Sequence, residues 1–477
     1  MEFLVAAYSM KGYPLIVFYA IGLTGILLVV FRPYGAFLLA VFGLAARNFH
    51  AAVYTRSDLL GQYCNLNDLL MWIGLLAMVR LALHERELWA PKILVAILAI
   101  NLFGAFDALT EYGFTAHVQR SLWAAAIFPA MFLVAANLVS SQEKARSFYW
   151  ALFAGALLAA IQHLFMVDAQ INVRGAFAGE FDIRSISYIF SGGIFWAVSA
   201  IFINVQRLVV RPLPGLIWLG GIGLIALSYL LSFTRTVWVG AAVSILGVWL
   251  VTSWQSRQIP RVVSRSIYVL ISLSLVTACT FTISAALFPG LDLEGMVIKR
   301  LDFLENRDVF DKAYETREQG FKTEIDLWHK GSMLWGVGTA MPPEIAEAPI
   351  PIKGRNVDPA IGALGHVGFS SYLAHFGLLG LIAYCFLLPL LTIKAGKLIY
   401  WEHRRGYIGA LALAAMALGF YDLATIFSSN HYLNATGHLP GLIYGALWGL
   451  SRRELAQRNM VLVKTKPGTF HLGMEAR

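Results

Sequence analysis

The chain has 477 residues, of which 58% are hydrophobic and 14% are charged, and its formal net charge is +9. Soluble domains carry about 25% charged residues, so this composition excludes an ordinary soluble protein and indicates a membrane protein with several spans. The positive charge does not call for a nucleic-acid partner, because cytoplasmic loops rich in Lys and Arg give membrane proteins the same balance.

Apolar runs long enough to cross about 30 Å of hydrocarbon occur along most of the chain. They lie at 14–31, 66–84, 90–107, 117–140, 147–167, 185–206, 213–233, 236–254, 266–288, 367–393, 407–429 and 438–450, the last being short. A further run at 35–46 fits a span, a re-entrant segment or an interfacial helix. The predicted fold is all-α: a polytopic membrane helix bundle of about twelve transmembrane helices with one large external loop domain.

Basic connections set the predicted orientation. Short loops rich in Lys and Arg follow every second span, and the tail after Arg452 is basic as well. The positive-inside rule places them all in the cytoplasm. These loops are 84–92, 142–146, 207–211, 257–265 and 394–405. Both termini are then cytoplasmic, and the remaining connections are external.

The predicted organisation has four parts: N-terminal transmembrane helices (1–288), an external loop domain (289–366), C-terminal transmembrane helices (367–451) and a basic cytoplasmic tail (452–477). Residues 289–363 hold 13 of the 28 acidic residues and nine basic ones, unlike the rest of the chain. We expect two short helices there, at about 293–312 and 315–333. A connection this long usually carries function.

Polar residues gather on the predicted external side. His366 begins a helix where the long loop re-enters the membrane, and Arg235 lies at a tight corner between two spans. On a straight helix of 100° per residue, His366 shares one face with Ser370 and two later glycines, which predicts close packing on a neighbouring helix. His375 falls on the opposite face, where we expect packing or lipid contact.

Three of these segments resemble the O-antigen ligase and polymerase superfamily. "HVGFSSYLAHFGLLG" (366–380) has the family's spacing of His, Gly and Gly, and "SFTRTVWVG" (232–240) is similar to its Ser-x-x-Arg corner. "TREQGFKTEIDLWHKGSMLWGVGTA" (316–340) resembles a run in the family's external loop. "VRGAFAGEFDIRS" is more weakly similar to a family loop in which Arg precedes a Gly-containing turn. Val367 departs from the polar residue usual in ligases, which slightly favours a polymerase or an exopolysaccharide variant.

The resemblance implies a glycosyltransferase of the bacterial inner membrane with its active site facing the periplasm. The donor would be an undecaprenyl-diphosphate-linked glycan, and the acceptor a sugar hydroxyl of a lipid A core or a growing polysaccharide. His366 would be the general base, while Arg235 and Arg317 would hold the diphosphate. Further arginines that could assist are Arg174, Arg184 and Arg300. Neither a cofactor nor a metal is expected, because the external loops contain no Asp-x-Asp pair.

Asp422 is a further candidate for substrate binding, because a carboxylate within a span is costly and often functional. A hydrogen bond to a neighbouring helix would explain it equally. The sequence does not separate a ligase from a polymerase. Two other classes remain open: a flippase or transporter of lipid-linked oligosaccharides, and a non-catalytic scaffold. Transport usually needs ionisable residues near the midplane, and the apolar runs here hold few.

Overall fold

A computed structural model describes most of the N-terminal and C-terminal thirds of the chain. The residues described are 13–46, 66–85, 88–174, 221, 223–226, 235–254, 321–339, 368–403, 406–426 and 437–464, and the single positions 267, 274, 278, 282, 286 and 318. Within these ranges the secondary structure is helical and no β-strand occurs. The all-α class predicted from the sequence is therefore confirmed.

The helices follow the predicted apolar runs closely. They are Tyr13–Phe31 (α1), Pro33–Ala45 (α2), Leu66–Glu85 (α3), Lys92–Tyr112 (α4), Ala116–Leu138 (α5), Gln142–Arg174 (α6), Arg235–Trp254 (α7), 321–330 (α8), Gly368–Gly380 (α9), Leu388–Glu402 (α10), Tyr407–Thr425 (α11) and His438–Lys464 (α12). The short run predicted at 438–450 is the first half of α12, which continues to Lys464. The predicted spans 185–206 and 266–288, and the loop helix 293–312, lie outside the continuous described ranges, and only residues 221 and 223–226 of the predicted span 213–233 are described.

Four helical stretches in the described part of the chain are long and apolar enough to cross a membrane. They are Lys92–Tyr112, Ser121–Leu138, Gly368–Glu402 and Tyr407–Thr425. Shorter apolar helices occur at Phe18–Phe31, Pro33–Ala45 and Trp238–Thr252. These helices are those of a membrane-embedded protein. At 1.5 Å per residue, the 13 residues of α2 span about 20 Å, which is too short to cross the hydrocarbon alone.

Small residues allow the closest helix packing in the described bundle. Gly441, Gly445 and Gly449 recur every fourth residue along α12, so they form one stripe. A Cβ atom at Gly445 would lie 2.2 Å from the carbonyl oxygen of Phe132 on α5, and the other two glycines meet α5 carbonyls at 2.6 and 2.5 Å. The α5–α12 contact therefore depends on backbone approaching backbone, as membrane helices commonly do.

The membrane-length helix Gly368–Glu402 is irregular in the middle. Gly377 has φ 61° and ψ −161°, which breaks the helical path within α9. A π-helix then occupies Leu381–Leu387 before α10 begins. Pro389 accounts for the wide turn, because proline lacks the backbone N–H that would bond the carbonyl four residues earlier and its ring crowds that carbonyl.

Candidate functional site

The loop helix α8 carries an amphipathic face that packs on the helical bundle. Leu327 is buried, and Ile325 and Trp328 pack against the main hydrophobic core. Glu324 lies on the same face, because it precedes Leu327 and Trp328 by three and four residues. It is 2% exposed, which is unusual for a carboxylate.

The partners of Glu324 are two hydroxyls in the first turn of α9. Ser371 Oγ donates a hydrogen bond to Glu324 Oε1 at 2.6 Å, and Ser370 Oγ donates to the other carboxylate oxygen, Oε2. Both serines are fully buried. A carboxylate beside the N-terminus of a helix is favoured by the helix dipole. The cluster of Glu324, Ser370 and Ser371, which we call the carboxylate clamp, thus ties the loop to the beginning of α9.

The segment after α8 forms a tight turn, residues 331–339, that runs along α9. Ser332 and Gly336 exchange both backbone hydrogen bonds, at 3.0 and 2.7 Å, and so close the turn. Backbone bonds then join the turn to α9 on both sides of the helix break. Their donors and acceptors are Val337 N to Ala374 O (2.8 Å), Gly338 N to His375 O (3.0 Å), Leu378 N to Met333 O (3.1 Å) and Leu379 N to Leu334 O (3.3 Å).

Glycine is required at two points of this junction. Gly377 has a positive φ, and a Cβ there would lie 2.3 Å from the backbone carbonyl group of Leu334. Gly336 has φ 74°, and its Cβ would lie 2.3 Å from the carbonyl oxygen of Ala374. Residues that have a side chain rarely adopt a positive φ of this kind. The Gly-Val-Gly turn, residues 336–338, therefore contacts the 366–380 segment at Ala374 and His375, and Gly377 of that segment contacts the loop at Leu334 and Trp335.

One expectation for the 366–380 helix is wrong, and one of the two alternatives for His375 holds. A straight helix would align Ser370 with the later glycines, but the break at Gly377 ends that regular face, and Gly377 packs against the turn rather than a helix. His375 is 1% exposed, and its Nδ1 lies 2.9 Å from the carbonyl oxygen of Gly338. That ring nitrogen therefore donates to the turn, so His375 is packed inside the protein, as the first of its two alternatives had it, and does not face lipid.

Asp422 pairs with a tyrosine on the neighbouring helix. The hydroxyl of Tyr444 on α12 donates a hydrogen bond to Asp422 Oδ2 near the end of α11, and both residues are buried. The interhelical hydrogen bond considered from the sequence is therefore present. The backbone N–H of Phe369 also donates to Ile426 O at 2.7 Å, so the beginning of α9 lies beside the end of α11.

The other predicted site residues are not described in atomic detail. His366, Arg184, Arg300 and Arg317 lie outside the described residues. Arg174 is the last residue of α6 and Arg235 the first residue of α7, and the side chains of both lie outside the described part of the chain. The structure instead brings together the backbone segments that carry two of the motifs, 321–339 and 368–380.

The carboxylate clamp was missed by sequence reasoning. A signal was present, because Glu324 falls in the stripe formed with Leu327 and Trp328, where a carboxylate needs a buried partner. Ser370 and Ser371 are polar residues in an apolar helix, but no pattern in the sequence indicates that they bind Glu324. Among the described residues, no cluster of three or more His, Cys, Asp or Glu side chains could hold a metal ion.

No protein-family model matches the chain, and no curated protein matches it either.

Proposed function

We propose that the protein is a membrane glycosyltransferase of the O-antigen ligase and polymerase type. It transfers a glycan from undecaprenyl diphosphate to a sugar hydroxyl at the periplasmic face of the bacterial inner membrane. The proposal includes the bundle of about twelve spans and the external loop 289–366, and it leaves both a ligase and a polymerase possible.

One observation carries the proposal. The loop motif (316–340) and the 366–380 motif are separated by 25 residues in the sequence, yet the clamp and the turn join them along α9. Gly336 and Gly377, which belong to different motifs, meet this shared junction at their backbones. Two motifs that serve one active site have to be neighbours in the fold. Chance matches to the family's motifs would not have to be neighbours, so the observed contact supports the proposal.

The proposed chemistry uses one imidazole and two guanidinium groups from the three motifs. The imidazole of His366, two residues before Gly368, takes the proton of the acceptor hydroxyl as its oxygen attacks the anomeric carbon. The bond from that carbon to the diphosphate oxygen breaks, and undecaprenyl diphosphate leaves with the bonding electrons. Arg235 and Arg317 offset the charge on the leaving group through bidentate hydrogen bonds. Attack opposite the leaving group inverts the anomeric centre.

The buried carboxylates favour this proposal over a flippase or transporter. Asp68 lies in the first turn of α3 and accepts a 2.7 Å hydrogen bond from the indole of Trp123. Asp422 lies in the last turn of α11 with Tyr444. Both are near helix ends and both are paired, whereas alternating access usually uses ionisable groups near the midplane.

The test is complementation of cells that lack the gene with His366→Ala and Arg235→Ala variants. Surface polysaccharide and carrier-linked intermediates are then separated on gels. We expect both variants to reach wild-type levels in the membrane, to lose polysaccharide and to accumulate carrier-linked glycan. Accumulated single repeats indicate a polymerase, and accumulated long chains indicate a ligase.

His329→Ala is the matched control, because His329 is an exposed histidine on α8 in the same loop. It should support normal polysaccharide. If His366→Ala and Arg235→Ala both behave like this control, the site is wrongly assigned, and a scaffold or transporter accounts better for the chain.

A further inference from the structure

The turn at residues 331–339 presents large apolar side chains outward. Met333, Leu334 and Trp335 are 58%, 52% and 40% exposed. The ring of Trp335 packs on that of Phe103 of α4, with 4.9 Å between the ring centroids. Leu102, Phe103 and Phe106 are also exposed, so the turn and α4 form one continuous apolar surface.

The position of this surface along α4 can be read from the contacts. Thr339 donates hydrogen bonds from its backbone N–H and its hydroxyl to Gly104 O, at 3.1 and 3.3 Å. Lys92–Tyr112 has 21 residues, so Gly104 is two residues from its middle. Gly104 is eight residues before Tyr112, which places the contact about 12 Å from that end of the helix.

Helix α9 gives a second measure of the same depth. Phe376 packs against Gly104, and Tyr384 Oη donates to Asn101 Oδ1 at 2.8 Å, so α4 and the 368–402 helix run antiparallel. Phe376 is eight residues after Gly368, again about 12 Å from the beginning of α9. Both helices are long and apolar enough to cross a membrane. The turn therefore lies about 12 Å inside the ends of both helices, which is close to the middle of α4, although it belongs to a loop.

Much of the backbone of the turn is hydrogen-bonded within the protein. Irregular backbone is tolerated at that depth where its N–H and C=O groups are satisfied within the protein. Here the N–H groups of Gly336, Val337, Gly338 and Thr339 bond to Ser332, α9 and α4, and the carbonyls of Met333 and Leu334 accept from α9. Trp328 Nε1 also donates to Met333 O at 3.1 Å.

We propose that residues 331–339 form a re-entrant turn that inserts into the bilayer and presents Met333, Leu334 and Trp335 to lipid acyl chains. The outward surface of α4 continues this contact, because only 28% of its apolar stretch is buried inside the protein. The three side chains carry no charge, as a lipid-facing position demands. This inference does not rest on the proposed glycosyl transfer.

The first test compares the labelling of two single replacements in the otherwise wild-type protein, in sealed vesicles that expose the loop. Leu334→Cys and His329→Cys both introduce a thiol at an exposed position, on the turn and on α8. Labelling by a charged maleimide is measured above the background of the three native cysteines. We expect Leu334→Cys to react more than tenfold more slowly than His329→Cys until the vesicles are dissolved in SDS.

The second test distinguishes lipid from a protein that covers the turn. Purified wild-type and Trp335→Phe proteins are placed one chain per nanodisc, with phosphatidylcholine that carries a nitroxide at the middle of the acyl chain. The difference between their fluorescence emissions isolates the emission of Trp335. Nitroxide at the middle of the acyl chain should quench this emission more than nitroxide on the lipid headgroup, which is measured in a second set of nanodiscs. Rapid labelling of Leu334→Cys overturns the proposal. So does slow labelling without mid-chain quenching, which would mean that a second copy or another protein covers the surface.

Discussion

Glu324→Ala should loosen the contact between the loop and α9. The change removes the acceptor of two hydrogen bonds and leaves the hydroxyls of Ser370 and Ser371 buried without it. All three side chains are at most 2% exposed, so water does not replace the carboxylate without local opening. Asp326→Ala is the matched control, because Asp326 lies on the exposed face of the same helix.

The size of the effect follows from these two bonds. A hydrogen bond to a charged group contributes about 1.5–3 kcal/mol. A serine in a helix can turn its hydroxyl toward the carbonyl four residues earlier, which recovers part of the loss. We therefore expect the free energy of opening residues 321–330 to fall by about 2–4 kcal/mol. That corresponds to amide exchange faster by roughly 30-fold to several hundred-fold.

The assay is hydrogen–deuterium exchange followed by mass spectrometry on protein in nanodiscs. Glu324→Ala should accelerate exchange in peptides from 321–330, and Asp326→Ala should not. In a Ser370→Ala/Ser371→Ala background, Glu324→Ala should add little, since the interaction is already gone. Equal effects of Glu324→Ala in the two backgrounds would refute the clamp, as would unchanged exchange in the single variant.

Three further predictions concern packing inside the described bundle. Gly445→Ala should lower the melting temperature of the purified protein clearly more than Gly74→Ala. The new methyl group at position 445 would meet a backbone carbonyl at 2.2 Å, whereas the one at position 74 would meet only side-chain atoms at 3.7 Å or more. Gly377→Ala should speed amide exchange at 332–338, because it adds a side chain at φ 61° against the turn. Tyr444→Phe should lower the free energy of unfolding by about 1–3 kcal/mol through the lost hydrogen bond to Asp422, as measured by unfolding in graded SDS. Asp422→Asn keeps a hydrogen-bond acceptor for Tyr444 and should lower the free energy of unfolding less.

The ends of several helices were predicted well because apolar length largely determines them, whereas α6 and α12 extend beyond their predicted runs at 147–167 and 438–450. The run at 66–84 became Leu66–Glu85, and 407–429 became Tyr407–Thr425. The lipid environment makes the length of an apolar run the main requirement for a span, so a span can be located directly from the amino-acid sequence. The stripe of Gly441, Gly445 and Gly449 was not singled out from the sequence, although small residues at every fourth position are typical of close helix packing.

The irregular junction was not predicted, because its interactions are mostly between backbone groups. Backbone N–H and C=O groups are the same in every residue, so the bonds from the turn to Ala374 and Leu378 leave no pattern of side chains. Each glycine that permits the junction is equally typical of an ordinary turn or of close helix packing when it is read singly. The helix at 367–393 was accordingly expected to be regular, and the break at Gly377 was not foreseen.

The clamp and the turn hold the loop at two levels of α9, and this separation has a consequence for local opening. Ser371 and Gly377 are six residues apart, about 9 Å along a helix. The clamp depends on one carboxylate, whereas the turn depends on several backbone bonds to α9 and α4. Loss of Glu324 should therefore free 321–330 while 332–338 stays protected, because the bonds that hold the turn to α9 and α4 join backbone groups. Gly377→Ala should produce the reverse order. If either variant opened both segments equally, the loop would be one cooperative unit, and the two anchors would not act separately.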